Sequence, residues 1–294
     1  MSTQTPSRTA LADGIRRRTA EWTIRRNGGY LAQACGSAEM LATMLTQLDL
    51  GTPTAPIRPP KFTQVPAPGT PGPQGEAWLG DGPDVFVLSP AHYATAMYAA
   101  LTELGRLDEA AMIEDANDGG LLEMIGGEHS PGITLSAGSL GNAFPVAVGR
   151  AIARARKHEP GMFWVMLSDG EMQEGITWET AQLAVAEQLN NLNVIIDRNA
   201  MQVDGHMIDI MPITDPAERY AAFGWHTHTV DGHDLDALDT AIAACTKESG
   251  PSVIVCNTQP WRGFTFLKQR WDDHRLHFIR LTDTERASLQ AELS

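Results

Sequence analysis

The chain is poor in cysteine. Cys35, Cys245 and Cys256 are the only three in 294 residues, and they stand far apart. That spacing excludes a disulfide framework and a cysteine-based zinc motif. Each is expected to be a small buried apolar side chain in a reducing cytosol. No apolar run has membrane-spanning length, and residues 1–10 lack the apolar core of a signal peptide. A cytoplasmic protein without a membrane partner is therefore expected. Basic residues are also scarce: 22 Lys and Arg against 36 Asp and Glu, a formal net charge of −14. A nucleic-acid partner is not expected from that balance, and the acidic excess reads as solvated surface. There is no internal repeat. The one biased tract is the Pro/Gly-rich stretch 52–83, which is unable to form regular helix or central strand. It is read as an ordered surface excursion within a single domain spanning residues 1–294.

What is present is alternation. Residues 10–26 have a charged helical pattern. Residues 37–48 read as a helix capped by Ser37, with Met40, Leu41, Met44, Leu45 and Leu48 on one face. Strands are expected at 85–88, 162–167, 193–196, 225–230 and 252–256. Helices are expected at 92–104, at 235–245, and from the Gly138 loop to about Lys157. Strands alternating with helices imply an α/β fold, a central parallel sheet with helices on both faces.

The most specific signal lies between residues 168 and 199. The apolar run Met162-Phe163-Trp164-Val165-Met166-Leu167 ends in Ser168-Asp169-Gly170, and Asn193-Val194-Ile195-Ile196 ends in Asp197-Arg198-Asn199. Two buried strands joined by a helix make a right-handed parallel unit. Ligands of such sheets bind beyond the carboxyl ends of the strands, where Asp169 and Asn199 stand. A carboxylate, an amide oxygen and a nearby carbonyl are hard donors suited to Mg²⁺ or Ca²⁺, and Mg²⁺ with so few protein ligands shares its shell with phosphates. Gly170 permits close backbone approach to an anion, and the following helix can turn its amides toward the same charge.

The stretch Ser168-Asp169-Gly170-Glu171-Met172-Gln173-Glu174-Gly175, with Asn199 after the second strand, closely resembles the Gly-Asp-Gly to Asn motif of thiamine-diphosphate enzymes in its transketolase form. Ser168 replaces the first Gly. The resemblance runs over roughly residues 12–275 and matches the N-terminal, diphosphate-binding third of transketolases. It implies that thiamine diphosphate is the cofactor, with Asp169, Asn199 and the Met201 carbonyl on the metal. It implies cofactor contacts at Asp169, Gly170, Glu171 and Asn199. It places His92, at the end of the strand before Ser89-Pro90-Ala91, on the diphosphate. The loop Ser136-Ala137-Gly138-Ser139-Leu140-Gly141 resembles the one that holds the thiamine rings, which puts Gly138 and Leu140 on the cofactor. His129 is matched to a histidine facing the thiazolium, Glu174 to an acid at an interface between chains, and His274 to a late histidine that reaches the diphosphate. His92, His129 and Glu174 are the expected catalytic side chains. The family's early Gly-His is here Gly29-Tyr30, and its acidic residue after Gly-Val is here Thr134, which puts an ordinary ketose-phosphate substrate in question.

The family's mechanism also needs a Glu from a pyrimidine-binding domain, which protonates the aminopyrimidine. That domain would follow Ser294. The expectation is a split enzyme in a two-plus-two (α2β2) assembly, with this chain supplying the diphosphate- and metal-binding half. The interface is expected to include Glu174 and the Gly138 loop, with Met172, Ile176 and Trp178 contributing. The implied activity is transfer of a two-carbon ketol or related acyl unit between carbonyl compounds. A decarboxylating 2-oxoacid enzyme resembling pyruvate dehydrogenase is one alternative. A non-catalytic chain that binds the cofactor or regulates is the other.

Overall fold

The computed structural model describes residues 6–52, 58, 74–114 and 122–294. Most of the Pro/Gly-rich excursion, residues 53–57 and 59–73, lies outside the described residues. Among the described residues one sheet contains β1 (Val85–Leu88), β2 (Phe163–Ser168), β3 (Leu192–Arg198), β6 (His226–Asp231) and β7 (Ser252–Asn257), in the order β1-β2-β3-β7-β6. Every pairing in it is parallel. A short antiparallel hairpin, β4 (Met201–Gln202) and β5 (Gly205–His206), stands beyond the end of β3.

The period-two alternation of each strand sorts its side chains onto two faces. Phe86, Leu88, Trp164, Met166, Ile195, Ile254 and Cys256 pack with α1 (Arg8–Arg26), α2 (Leu31–Gln47), α3 (Ala94–Glu103) and α9 (Leu235–Cys245). Val87, Phe163, Val165, Leu167, Val194, Ile196, Val253 and Val255 pack with α5 (Ala143–Lys157), α6 (Gly175–Ala186) and α8 (Pro216–Phe223). The expected sheet covered on both faces is what forms. α10 (Thr265–Asp272) and α11 (Asp283–Glu292) close a third cluster over α1, α2 and Met201. Two one-turn helices, α4 (Ala111–Glu114) and α7 (Met207–Ile210), and three 3-10 turns, Gly75–Trp78, Ala91–Tyr93 and Asp169–Gln173, complete the elements among the described residues. Among the described residues no helix is long and apolar enough to cross a membrane.

Two helix starts depart furthest from the sequence reading. α2 begins at Leu31, not Ser37; the Ser37 hydroxyl is buried and donates to the Gln33 carbonyl at 2.7 Å. Every residue from Leu31 to Leu45 is buried, because α2 is packed on all sides. A helix without a polar stripe gives no periodic onset to read. α5 begins at Ala143, and 138–142 is a turn before it. Gly141 has φ +81, and a Cβ there would press on Ile176 and Glu174 at 3.0 and 3.1 Å. The turn therefore packs directly on the start of α6.

The chain leaving β1 enters α3 on one face, and the chain leaving β2 enters α6 on the other. Divergence of that kind opens a crevice at the carboxyl edge of a parallel sheet.

A cleft at the ends of β1, β2 and β3

The register pairs Ser168 with Asp197, so β2 and β3 end flush. Asp169 and Asn199 are thereby brought to one point. The Asp169 Oδ2 accepts from the Ala200 amide at 2.6 Å. The Asn199 side chain is fixed at both ends. Its Oδ1 accepts from the Met201 amide at 3.0 Å, and its Nδ2 donates to the Tyr93 hydroxyl at 3.1 Å and to Asp197 Oδ2 at 3.0 Å. Tyr93 donates its hydroxyl proton to the same Asp197 oxygen at 2.6 Å, and Thr258 donates to the other. Asp197 is fully buried. Burial lifts its pKa against these three donors, and it acts as the strut that orients Asn199.

The other Asp169 oxygen, Oδ1, is buried and has no hydrogen-bond partner among the described residues. Burial, and then the nearby Asp197 carboxylate, push the Asp169 pKa well above the usual range. An unsatisfied buried carboxylate oxygen is costly unless something binds it. A hard cation held by Asp169, Asn199 and the Met201 backbone fits that donor set. Space beside it is open as well. A Cβ at Gly170 would meet nothing closer than 3.9 Å, and one at Gly138 nothing closer than 3.6 Å.

These residues line a cleft of about 300 Å³ that includes Tyr30, Gln33, His92, Tyr93, Gly138, Leu140, Asp169, Gly170, Glu174, Asn199, Met201 and His277. Eight of the expected residues (His92, Gly138, Leu140, Asp169, Gly170, Glu174, Asn199 and Met201) are thus gathered in one place. Tyr30, expected opposite the substrate, is there too. Its ring packs on His92 and Phe278, each with centroids 5.1 Å away, and on His277 at 5.5 Å. Burial, and then the neighbouring His277, lower the His92 pKa to about 3; burial lowers that of His277 too. Both rings are neutral near pH 7 and can offer an N–H to an anion.

Three expected residues lie elsewhere. Glu171 is fully buried beneath the cleft. Its carboxylate accepts from Ser89, from the Gly141 amide at 3.2 Å and from the Ser168 amide at 2.8 Å. It therefore ties β1, the Gly141 turn and β2 together, and does not reach the cleft. His129 does not line the cleft; its Nε2 is 3.1 Å from Glu123. His274 is stacked on His206 outside the cleft. The late histidine in the cleft is His277, brought there by an antiparallel bridge between Gly29 and Ile279. Of the expected interface residues, Met172 is core and Trp178 half-buried with its indole N–H on the Met172 carbonyl; Ile176 is exposed. Sequence reasoning missed Gln33, Tyr93, Asp197 and His277. Only Asp197 carried a signal, an acid at the buried end of the second strand.

The chain matches the family model for the transketolase thiamine diphosphate binding domain over residues 69–293. It belongs to the transketolase family. A transketolase family protein of Sinorhizobium fredii, described as uncharacterized, is 34% identical over 274 residues, which is 92% of this chain and 89% of that one. The 6-deoxy-6-sulfo-D-fructose transketolase subunit SqwG of a Clostridium species is 33% identical over 213 residues, covering 71% and 76%. Among solved structures, the transketolase of Leishmania mexicana superposes with a TM-score of 0.78 at 23% identity, over 99% of this chain and 42% of that one. The chain thus spans about two fifths of the solved transketolases it matches, and that likeness shows the shared fold. Two relatives of comparable length are named as subunits. One is SqwG; the other belongs to the apulose-4-phosphate transketolase of Actinobacillus succinogenes, and the match covers 70% of it.

Proposed function

We propose that this chain is the diphosphate- and Mg²⁺-binding subunit of a thiamine-diphosphate-dependent transketolase that transfers a two-carbon ketol unit between carbonyl compounds. The observation that carries the reading is the unpartnered Asp169 Oδ1 at the flush ends of β2 and β3, in a cleft that also offers two neutral imidazoles. Asp169, Asn199 and the Met201 carbonyl hold the metal, with Ca²⁺ as a substitute, while His92 and His277 donate to the diphosphate. Gly138 and Leu140 form the wall against the thiamine rings. Thiamine diphosphate, when bound, supplies the carbon nucleophile and the electron sink of the transfer. Asp197 and Tyr93 orient Asn199, and Tyr30 limits access to His92. His129 reaches the thiazolium only after movement of its loop; Glu171 positions the Ser168-Asp169 turn.

We read residues 1–294 as one such domain in a reducing cytoplasm, a reading supported by three buried free thiols. A second, pyrimidine-binding chain supplies the catalytic Glu in an α2β2 heterotetramer. Supporting this are the names of the relatives and several exposed apolar side chains: Ile125 and Val203 in the cleft lining, Ile176 against the Gly141 turn, and Ile208 in a neighbouring hollow that shares Asp169. Glu174 lies among them. Titration of thiamine diphosphate and Mg²⁺ into wild type and Asp169→Ala, followed by mixing with the partner chain and assay of ketose donors, tests the reading. Loss of binding in the variant and turnover only in the mixture are expected. Cofactor affinity unaffected by Asp169→Ala would refute the metal assignment. Release of CO₂ from pyruvate by the mixture would favour a 2-oxoacid enzyme, and binding without any turnover a regulatory role.

A further inference from the structure

The histidine that leaves the cleft creates a second cluster. His206 at the end of β5, Asp209 in α7 and His274 after α10 bring one ligand atom each within 4.8 Å of one another. The His206 Nε2 lies 2.9 Å from the Trp271 carbonyl. A carbonyl only accepts, so the ring proton sits on Nε2 and the Nδ1 lone pair is left free. That is the arrangement in which metal-binding imidazoles are held, with the far nitrogen donating to a backbone oxygen. Two further rings hold it in place: Trp271 stacks with it at a centroid distance of 4.4 Å and His274 at 3.9 Å.

His274 adopts φ +59 as the left-handed residue that ends α10, where the Arg275 amide returns to the Arg270 carbonyl at 2.9 Å. That conformation turns its Nδ1 toward Asp209 Oδ2, 4.0 Å away. The separation is too long for a hydrogen bond. Two atoms each about 2.1 Å from one tetrahedral ion stand roughly 3.4 Å apart, so the pair closes by about half an ångström when an ion is held. The space beside this nitrogen is kept clear: a Cβ at Gly205 would stand 3.1 Å from His274 Nδ1.

We propose that His206, Asp209 and His274 bind a divalent transition-metal ion of the zinc type, at a site distinct from the Asp169 centre. Two imidazole nitrogens and one carboxylate suit Zn²⁺ and its neighbours, whereas Mg²⁺ prefers oxygen donors. Three protein ligands leave a fourth position for water. The ion joins two separate pieces of chain. His206 is paired with Met201 across the hairpin, and Met201, Gln202 and Val203 line the cleft. His274 precedes by three residues His277, which lines the cleft too. An ion at this place therefore clips together two walls of the cleft without touching what it binds. The proposal stands independently of the cofactor reading.

The test uses the full untagged chain, freed of metal with a chelator, without thiamine diphosphate. Calorimetry with ZnCl₂ should give one ion per chain. His206→Ala and His274→Asn should each weaken it by about tenfold or more, and Asp169→Ala should leave it unchanged. Asn is chosen at 274 because it tolerates the left-handed conformation, so the loop keeps its fold, which circular dichroism verifies. Cobalt loading should give visible absorption bands of low-coordinate Co²⁺ in wild type that the two histidine variants lack. Absence of zinc uptake by wild type overturns the proposal, as does uptake that both histidine variants retain at full affinity. Zinc binding abolished by Asp169→Ala alone would place the ion at the other centre and overturn it equally.

Discussion

Asp169 is costly to the cofactor-free chain. Its carboxyl is buried beside Asp197 with one oxygen unsatisfied, and both carboxyls are pushed upward in pKa. A carboxyl whose folded pKa is raised contributes stability below its unfolded value and loses it as pH rises. Asp169→Asn keeps an acceptor for the Ala200 amide and removes the charge. It should therefore leave the melting temperature of the cofactor-free chain at pH 8 equal or higher, while weakening Mg²⁺-dependent thiamine diphosphate binding by about a hundredfold or more. Scanning calorimetry and titration calorimetry on the same samples measure both, and a variant that melts lower yet binds normally would contradict the assignment. Tyr30 is a second test at this scale. Its ring shields His92 and His277, so Tyr30→His opens the cleft wall and adds an imidazole. The expected outcome is a changed ranking of ketose phosphates, ketoses and 2-oxoacids in the assembled enzyme with little change in cofactor affinity. An unchanged ranking across that panel counts against a substrate-facing Tyr30.

The elements behind the cleft are pinned by a buried ionic network. Glu39, in the middle of α2, receives Arg16 from α1 and the His233 Nδ1 at 3.0 Å, while His233 Nε2 accepts from the Gln259 amide at 2.8 Å. Burial acts to raise the Glu39 pKa, but the hydrogen bonds from His233 and Arg16 outweigh it and hold it at about 2, against an ordinary 4.5. The sign follows from linkage: a lowered carboxylate pKa gives stability that is complete above pH 4.5 and lost as pH falls toward 2. The shift corresponds to about 3 kcal/mol. Glu39→Gln leaves buried Arg16 with only the solvent-exposed Asp13 carboxylate, 3.7 Å away, and should cost about 3 kcal/mol at neutral pH. In urea unfolding the gap between wild type and variant should stay constant above about pH 5 and narrow below it. A gap independent of pH down to the acid limit would mean that Glu39 acts by packing alone.

At the level of the whole molecule, the proposed partner chain would cover exposed apolar side chains in and near the cleft. Val203 is 65% exposed and lines the cleft with Ile125, while Ile208, 72% exposed, lines a neighbouring hollow that shares Asp169. Exposed apolar side chains grouped beside a binding site mark an interface. The purified chain should bind thiamine diphosphate weakly and turn over no ketose donor. Adding the pyrimidine-domain chain should raise affinity and produce activity together, since one association completes the site. Val203→Asp and Ile208→Asp should block that gain and leave the fold intact, as followed by size-exclusion chromatography and donor assays. Robust turnover by the isolated chain would show that the catalytic acid is already within these 294 residues.

Much of this is legible without coordinates. The buried strands stand out because an apolar run ending in Asp-Gly or Asp-Arg-Asn is a local pattern, and local patterns survive in one dimension. Asp169 and Asn199 are found in that way, and parallel pairing places them together without further information. His92 follows from the family resemblance of the segment after β1, which its place beyond a strand end supports. What stays hidden depends on contacts across long stretches of chain. His274 and His277 are equally plausible in one dimension, and only the Gly29–Ile279 bridge shows which of them turns inward. Glu171 has the sequence context of a ligand, yet Ser89 and Gly141, 82 and 30 residues away, draw its carboxylate beneath the floor. The start of α2 is obscured because a helix buried on every side has no amphipathic edge. Local chemistry is written in neighbouring residues, whereas the direction in which a side chain finally points is set by partners that the fold alone brings near.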